Sequence, residues 1–127
     1  MASAGQDGLL QGTLDMLVLK TLAAGPNHGF GILERIERAS KDVLSVEEGS
    51  LYPALHRLEK RGYIEGEWQR AENGRRVRSY RLTVNGRAKL KLDQATWTRV
   101  ASAIDRVMGA TARAIKPALA VPWPEER

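Results

Sequence analysis

Residues 48–65 have the sequence EGSLYPALHRLEKRGYIE, and this stretch is the most informative part of the chain. Leu51, Leu55 and Leu58 recur at positions i, i+4 and i+7, so the stretch is predicted to form an amphipathic helix with one buried stripe. A helix with one apolar face and one basic, hydrogen-bonding face can lie in the major groove of DNA. The side chains left for its other faces are Ser50, Tyr52, His56, Arg57, Lys60 and Arg61.

A β-hairpin with a basic tip is predicted after this helix. Residues 63–70 and 77–82 have the composition of strands, and Asn73-Gly74 between them is a strong short-range hairpin signal. Arg75, Arg76 and Arg78 follow the turn directly. A hairpin beside the helix would reach a neighbouring row of phosphates or the minor groove. The sequence therefore predicts a mainly α fold with a small β-hairpin (α+β), arranged as a winged helix-turn-helix.

Two further helices are predicted in front of this unit. Apolar residues follow helical spacing from residue 9 to residue 24, and Gly25-Pro26 ends this first helix. The helix holds more apolar residues than one stripe needs, so we expect it to bury one face in its own domain and another against a partner. Asn27-His28 is expected to cap a second helix over residues 29–39. Its inward side chains are predicted to be Phe30, Ile32, Leu33 and Ile36.

Two local features leave alternatives open. Gly29 begins the second helix, where a close approach is made either by a phosphate at the helix N-terminus or by the third helix. Pro53 lacks an N–H group and fits badly inside a helix. The third helix therefore starts either at Ser50, or earlier with a distorted turn in which Gly49 reduces the crowding. Residues 43–46 are predicted to be a short β-prone piece.

A long helix is predicted from Thr83 to residue 108, after which prolines at 117, 122 and 124 leave a tail over residues 109–127. We therefore divide the chain into a winged helix-turn-helix domain (residues 9–82), a dimerisation helix (residues 83–108) and this tail. Surplus apolar surface on the first and last helices is expected to pair in a homodimer. The expected dimer contacts are Leu10, Leu14, Leu17, Leu90, Trp97, Val100, Ile104 and Met108.

The composition limits the classes of protein that the chain can be. With 43% hydrophobic and 28% charged residues it is an ordinary globular sequence, long enough for one small domain. It has no cysteine, and its two histidines form no catalytic or metal-binding spacing, so we expect no enzyme, no cofactor and no metal. No apolar run approaches about 18 residues and no signal peptide is found, so we expect a cytoplasmic protein without a membrane partner.

Positive charge is concentrated in one segment. Residues 70–91 hold eight basic residues and one acid and so carry +7, whereas the whole chain has a net charge of +5 and the remainder sums to −2. Such concentration predicts a polyanionic partner, here a double-stranded DNA operator. The alternative is a basic surface that is merely solvated.

The chain resembles the PadR family of bacterial transcriptional regulators over residues 10–108. The similarity rests on His28-Gly-Phe-Gly-Ile32, Gly49-Ser-Leu-Tyr-Pro-Ala-Leu-His-Arg-Leu-Glu59, Gly62-Tyr-Ile64, Trp68, Gly74-Arg-Arg76 and Tyr80-Arg-Leu-Thr-Val-Asn-Gly86. This resemblance implies a homodimeric winged-helix repressor of the short subgroup, which pairs through its N-terminal helix and a single C-terminal helix. Members often respond to small aromatic or amphipathic ligands, so such an effector is implied as well.

The residues expected to contact DNA lie in three places. They are Asn27, His28 and Gly29 at the second helix, Ser50, Tyr52, His56, Arg57 and Lys60 on the third helix, and Arg75, Arg76, Arg78 and Tyr80 on the hairpin. Arg57 and Lys60 are expected to be exposed cations. Tyr52 is either a DNA contact or a half-buried prop, and Ser50 is a helix cap or a phosphate donor.

Two tryptophans have predicted structural roles. Trp68 and Tyr80 are expected to face each other across the hairpin as a core pair, with the Tyr80 hydroxyl near phosphate. Trp97 is assigned either to the core of the dimer or to a platform on which a ligand stacks.

Together these observations predict a sequence-specific, DNA-binding transcriptional regulator. The leading hypothesis is a dimeric repressor that binds a two-fold symmetric operator and is relieved by a small aromatic ligand. The alternative is a winged-helix module that binds another protein through the Tyr52 and His56 face, without sequence-specific DNA binding.

Overall fold

The computed structural model of the chain describes residues 11–115, and the side chains of residues 12–109 within that range. There the elements follow in the order α1 (Gln11–Ala23), β1 (Asn27–His28), α2 (Gly29–Ala39), α3 (Glu48–Lys60), β2 (Ile64–Arg70), β3 (Arg76–Leu82) and α4 (Val84–Ile115). The strands form an antiparallel sheet in the order β1-β3-β2. The predicted mainly α fold with a small hairpin is confirmed. The chain separates into two compact units, one ending at Lys91 and the other beginning at Leu92.

The core of the first unit is assembled around α1. This helix contacts α2, α3 and β3, so its apolar side chains are buried around most of its circumference. Leu14 is 4% exposed, and Val18 and Leu19 are fully covered. Leu14, which was expected in a dimer interface, is thus buried by its own protomer. Leu17 is partly buried against the same core, and Leu10 lies outside the described residues.

Helix α2 begins and ends where the sequence predicts, at Gly29 and Ala39. His28 is its N-cap, and the His28 Nδ1 accepts a hydrogen bond from the Gly31 N–H at 3.1 Å. Phe30, predicted to point inward, is instead 56% exposed. It lies about 100° around the helix from Gly29, outside the buried face. That face consists of Gly29, Ile32, Leu33 and Ile36.

Helix α3 begins at Glu48 and contains Pro53, so the earlier of the two predicted starts is the observed one. The proline has no N–H to donate to the carbonyl of Gly49, four residues before it. Gly62 follows the helix with a φ of +81°, the left-handed conformation expected just after a helix C-terminus. The buried stripe is the predicted one, with Leu51, Leu55 and Leu58 joined by Ala54.

The sheet has a third strand that the sequence did not predict. Strand β1 pairs with β3 and places Asn27 opposite Tyr80. The β-prone residues 43–46 do not join the sheet, so that prediction is wrong. They follow a turn at Lys41 and Asp42, whose φ angles are +55° and +66°. Strand β1 was not predicted because its two residues are too few to show the alternation by which strands are recognised.

The hairpin turn lies where Asn73-Gly74 predicts it. The Gly74 N–H donates to the Ala71 carbonyl at 2.9 Å, and Gly74 has a φ of +86°. A left-handed glycine at the end of the loop is the usual geometry of a three-residue hairpin connection.

The strand register separates the two aromatic residues of the hairpin. Trp68 lies opposite Arg78, and Tyr80 lies opposite Gly66. The predicted Trp68–Tyr80 pair is therefore wrong. Tyr80 is buried in the core, whereas Trp68 is 55% exposed.

Helix α4 begins at Val84, directly after Thr83, the residue that joins the sheet to the helix. The Thr83 Oγ1 donates to the Gly62 carbonyl at 2.7 Å and accepts from the Gly86 N–H at 2.9 Å. Leu90, also expected in a dimer interface, is only 7% exposed and packs into the core of the first unit. The helix continues to Ile115, beyond its predicted end at residue 108. Within the described part of the chain, no helix is long and apolar enough to cross a membrane.

Candidate nucleic-acid interface

The side of α3 that faces away from the core presents three polar side chains in one line. Tyr52, His56 and Lys60 are exposed and follow one another at intervals of four residues, so they lie one above another on the helix. We call these three residues the outer row. Ser50 is half-buried in the first turn, and the N-cap of the helix is Glu47 rather than Ser50. The outer row is therefore the part of α3 that a groove of DNA would meet.

Tyr52 also contacts the beginning of α2. A Cβ atom placed on Gly29 would lie 2.6 Å from the Tyr52 hydroxyl oxygen and 2.8 Å from its Cε1. Only a glycine leaves room for the ring at this distance. The close approach predicted at Gly29 is thus made by α3, and Tyr52 acts as a prop between the two helices while 45% of it stays exposed.

Asn27 and His28 bind the local backbone. The Asn27 Oδ1 accepts a hydrogen bond from the His28 N–H at 2.8 Å, and His28 in turn caps α2. His28 remains exposed, and Asn27 is half-buried. Both residues therefore order the N-terminus of α2, at the same end of the helix as Tyr52.

Arg57 is not the exposed cation that the sequence predicted. Its Nη2 donates to the Asp15 Oδ1 at 2.7 Å and so joins α3 to α1. The Asp15 side chain is 11% exposed and that of Arg57 is 25% exposed. A carboxylate this well covered requires a cation beside it. Arg57 thus supports the position of α3 and is withdrawn from the surface, whereas Lys60 is exposed as predicted.

The hairpin of β2 and β3 has two electrically different faces. Residues opposite each other in the register share a face, and faces alternate along each strand. One side carries Trp68 with three arginines, and we call it the basic face; its arginines are Arg70, Arg76 and Arg78. The other side carries Glu65, Glu67 and Arg81, and the Arg81 guanidinium donates to Glu65.

Arg78 connects the basic face to α3. Its Nη2 donates to the Glu59 Oε2 at 2.6 Å, and both side chains are about one-third exposed. The Arg78 guanidinium carbon also lies 5.4 Å from the centre of the Trp68 ring, and that of Arg76 lies 4.7 Å from it. These are cation–π distances. Arg78, predicted to contact DNA, is thus held inside the protomer.

Tyr80 lies at the base of the basic face and is buried. Burial raises the pKa of its hydroxyl above the ordinary value of 10.0, and the neighbouring Arg78 guanidinium partly opposes this. The hydroxyl is therefore protonated at neutral pH. The core position predicted for Tyr80 is found, although its neighbour on β2 is Gly66 rather than Trp68.

Arg70 belongs to this surface but was not among the predicted contacts. It is exposed, lies opposite Arg76, and donates from its Nη1 to the Gly74 carbonyl at 2.9 Å. Strand alternation would have found it once the register was known. Arg75 lies in the turn and is exposed, as predicted. Within residues 12–109, no cluster of His, Asp and Glu side chains is arranged to hold a metal ion.

The helical segment beyond Lys91 forms the second unit and is described by itself. Trp97, Val100, Ile104 and Val107 recur at alternating intervals of three and four residues, the spacing of a coiled-coil seam. All four are exposed, as is Met108 beside them. We call these four residues the heptad seam.

Comparison with known proteins connects this geometry to a family. The transcriptional regulator PadR-like family matches residues 18–92, which include α2, α3 and the hairpin. The transcriptional regulator Rv3488 of Mycobacterium tuberculosis is 39% identical over 77 residues, which are 61% of this chain and 68% of that protein.

Solved structures agree with this match. A transcriptional regulator from Clostridium thermocellum has a TM-score of 0.69 at 29% identity, over 75% of this chain and 92% of that one. A PadR family transcriptional regulator from Eggerthella lenta has a TM-score of 0.66 at 28% identity, over 76% and 82% of the two chains. The winged-helix fold predicted from the sequence is confirmed by these similarities.

Proposed function

We propose, since this chain belongs to the PadR-like family of transcriptional regulators, that it is a dimeric repressor of a two-fold symmetric DNA operator. Proteins of this family regulate transcription by binding DNA and are not enzymes. Repression would follow from occlusion of a promoter. The protein would act in the cytoplasm, where its operator is.

The outer row and the basic face are the proposed DNA contacts. His56 would meet base edges in the major groove, and Tyr52, Lys60 and Ser50 would meet phosphates. Exposed Arg75 and Arg76, with Arg70, would reach the backbone or the minor groove. Asn27, His28 and Gly29 would lie near a phosphate at the start of α2. The observation that supports this most is the separation of charge on the hairpin, because a merely solvated surface needs no such sorting.

The proposed second copy would pair through the heptad seam. An uninterrupted row of large exposed apolar side chains on one helix is typical of an interaction surface. Heptad spacing suits a helix of the same kind, and a two-fold symmetric contact is the commonest arrangement of two identical chains. Trp97, Val100 and Ile104 of the seam stay in the proposed interface, with Met108 beside it. Half-buried Leu17 also stays in the proposal, whereas Leu14 and Leu90 are covered by their own protomer. A small aromatic effector would find a stacking surface on the Trp97 ring.

Footprinting on the DNA upstream of the protein's own gene tests operator binding. A protected, two-fold symmetric site is expected, with affinity that falls steeply between about 50 and 200 mM salt. The Arg75→Ala, Arg76→Ala variant should weaken binding to operator and random DNA alike. It should reduce the salt slope by about three to four, because a dimer would lose about four phosphate contacts. His56→Ala should weaken operator binding more than random binding. Salt-insensitive binding, or none, would favour the protein-interaction module instead.

Sedimentation analysis tests the dimer. Trp97→Asp puts a charge into the seam and should give a folded monomer that no longer binds the operator with high affinity. Ser102→Asp is the matched control, because position 102 is exposed on the same helix and lies on the side opposite the seam in the heptad. A wild-type monomer at micromolar concentration, or a dimeric Trp97→Asp protein, would contradict the proposed pairing.

A further inference from the structure

Trp68 is exposed, yet two guanidinium groups lie over its ring. The Arg76 and Arg78 carbons are 4.7 and 5.4 Å from the ring centre. The ring belongs to no core, since Ile64, Tyr80 and Leu82 supply the buried side chains of the hairpin. Its described contacts are therefore with the charges of the basic face.

The two arginines over this ring differ in their other partners. Arg78 is held by the Glu59 carboxylate at 2.6 Å, and it passes over Gly66, where a Cβ atom would lie 2.8 Å from its Nε. Arg76 has no carboxylate partner among the described residues. It lies directly opposite Arg70, and like charges opposite each other in a sheet repel. The Trp68 ring is thus what holds Arg76 against the sheet.

From this we infer that Trp68 is a positioning residue for DNA binding, which orders the Arg76 guanidinium on the basic face before DNA arrives. This inference rests on the proposed function. A free arginine loses much of its rotamer freedom when it binds, and a side chain that is already ordered loses less. An exposed cation–π contact corresponds to a change in affinity of about two- to five-fold.

The inference gives Trp68 a signature that a direct DNA contact or a merely structural residue would not show. If the ring only orders Arg76, its loss should weaken binding while Arg76 still reaches its phosphate. The affinity should then fall with the salt slope unchanged. Once Arg76 is absent, removal of the ring should have no further effect.

The test is a double-mutant cycle with Trp68→Leu and Arg76→Ala, measured on an operator duplex and a random duplex over a range of salt. Trp68→Leu should lower affinity by about two- to five-fold for each protomer on the DNA, at constant slope. Arg76→Ala should lower the slope by about two, because each protomer of the dimer loses one phosphate contact. The double variant should bind as Arg76→Ala does. Trp68→Phe should restore most of the affinity, and Gln69→Ala, on the opposite face, should change nothing.

Three results would overturn the inference. Wild-type affinity in Trp68→Leu would show that the ring has no role. An equal loss in the Arg76→Ala background would assign the ring its own DNA contact, and a lower melting temperature with a reduced slope would assign it to the hairpin's structure. Failure of the proposed function is seen separately, because the wild-type protein would then show no salt-dependent DNA binding at all.

Discussion

Removal of the ion pair between Asp15 and Arg57 should destabilise the protein more than it affects DNA recognition. The pair joins α1 to α3 at 2.7 Å, with the Asp15 side chain 11% and the Arg57 side chain 25% exposed. Breaking a fully buried pair by removing one partner costs about 3–5 kcal/mol. Because water reaches a quarter of Arg57, we expect about 2–3 kcal/mol for Arg57→Ala.

Thermal unfolding measures this effect. For a domain of this size, each kcal/mol shifts the melting temperature by about 4–8 °C, so Arg57→Ala should melt roughly 10–20 °C below the wild type. Samples must have equal protein concentration, since pairing of protomers would itself raise the melting temperature. Lys60→Ala is the control, because it removes an exposed cation from the same helix and should leave the melting temperature within a few degrees.

A double-mutant cycle then separates the pair from the individual side chains. The Asp15→Ala, Arg57→Ala protein should be more stable than the sum of the single losses implies, with a coupling of about 1–2 kcal/mol. Below its melting temperature, Arg57→Ala should bind operator DNA within about two-fold of the wild type. An Arg57→Ala protein that melts like the wild type but loses operator binding would refute this reasoning and return Arg57 to the DNA-contact set.

Two further changes have effects whose direction follows from the structure. Gly29→Ala should destabilise the wild type by about 1–2 kcal/mol, because its Cβ would meet the Tyr52 ring, yet it should be neutral or stabilising in a Tyr52→Ala background. Urea unfolding of the four proteins measures both effects. A loss of equal size in both backgrounds would disprove the contact. Burial raises the pKa of Tyr80, so the unfolded chain loses this proton before the folded protein does, and the stability should fall as the pH rises above 10.0. Tyr80→Phe should remove that part of the decline. Identical pH profiles of stability for the two proteins would show that Tyr80 makes no contribution.

Local patterns in the sequence predicted the helices and the hairpin, but they did not predict the contacts between residues that are distant in the chain. The bounds of α2 followed from its capping residues, and the end of α3 followed from Gly62. The start of α3 was left between two alternatives, because Pro53 argued against a helix that begins at Glu48. Arg57 and Asp15 are 42 residues apart, and no periodicity connects them. Nor does an apolar residue reveal whose surface buries it, so Leu14 and Leu90 were assigned to a partner although their own protomer covers them.

The candidate site was predicted by residue type more accurately than by geometry. The exposed positions of His56, Lys60 and Arg75 followed from their spacing and turn chemistry. The partner of Trp68 depended on the strand register, which a hairpin loop of uncertain length does not determine. A shift of two residues keeps a side chain on the same face but changes its neighbour, so Trp68 faces Arg78 and the basic face could not be assembled from sequence alone.

The ion pairs of Arg57 and Arg78 also determine how strongly salt should weaken operator binding. With these two arginines held by Asp15 and Glu59, the cations that remain among the proposed DNA contacts of each protomer are Lys60, Arg70, Arg75 and Arg76. Two protomers would neutralise about eight phosphates, and the plot of log affinity against log salt should have a slope of about −7. If Arg57 and Arg78 left their carboxylates for phosphates, the slope would be about −11, and a monomer would give about −4. Operator binding measured over a range of salt concentrations distinguishes these values. A slope close to −11 would mean that both ion pairs open on DNA, and that the positions of α3 and the hairpin in the free protein differ from those in the complex.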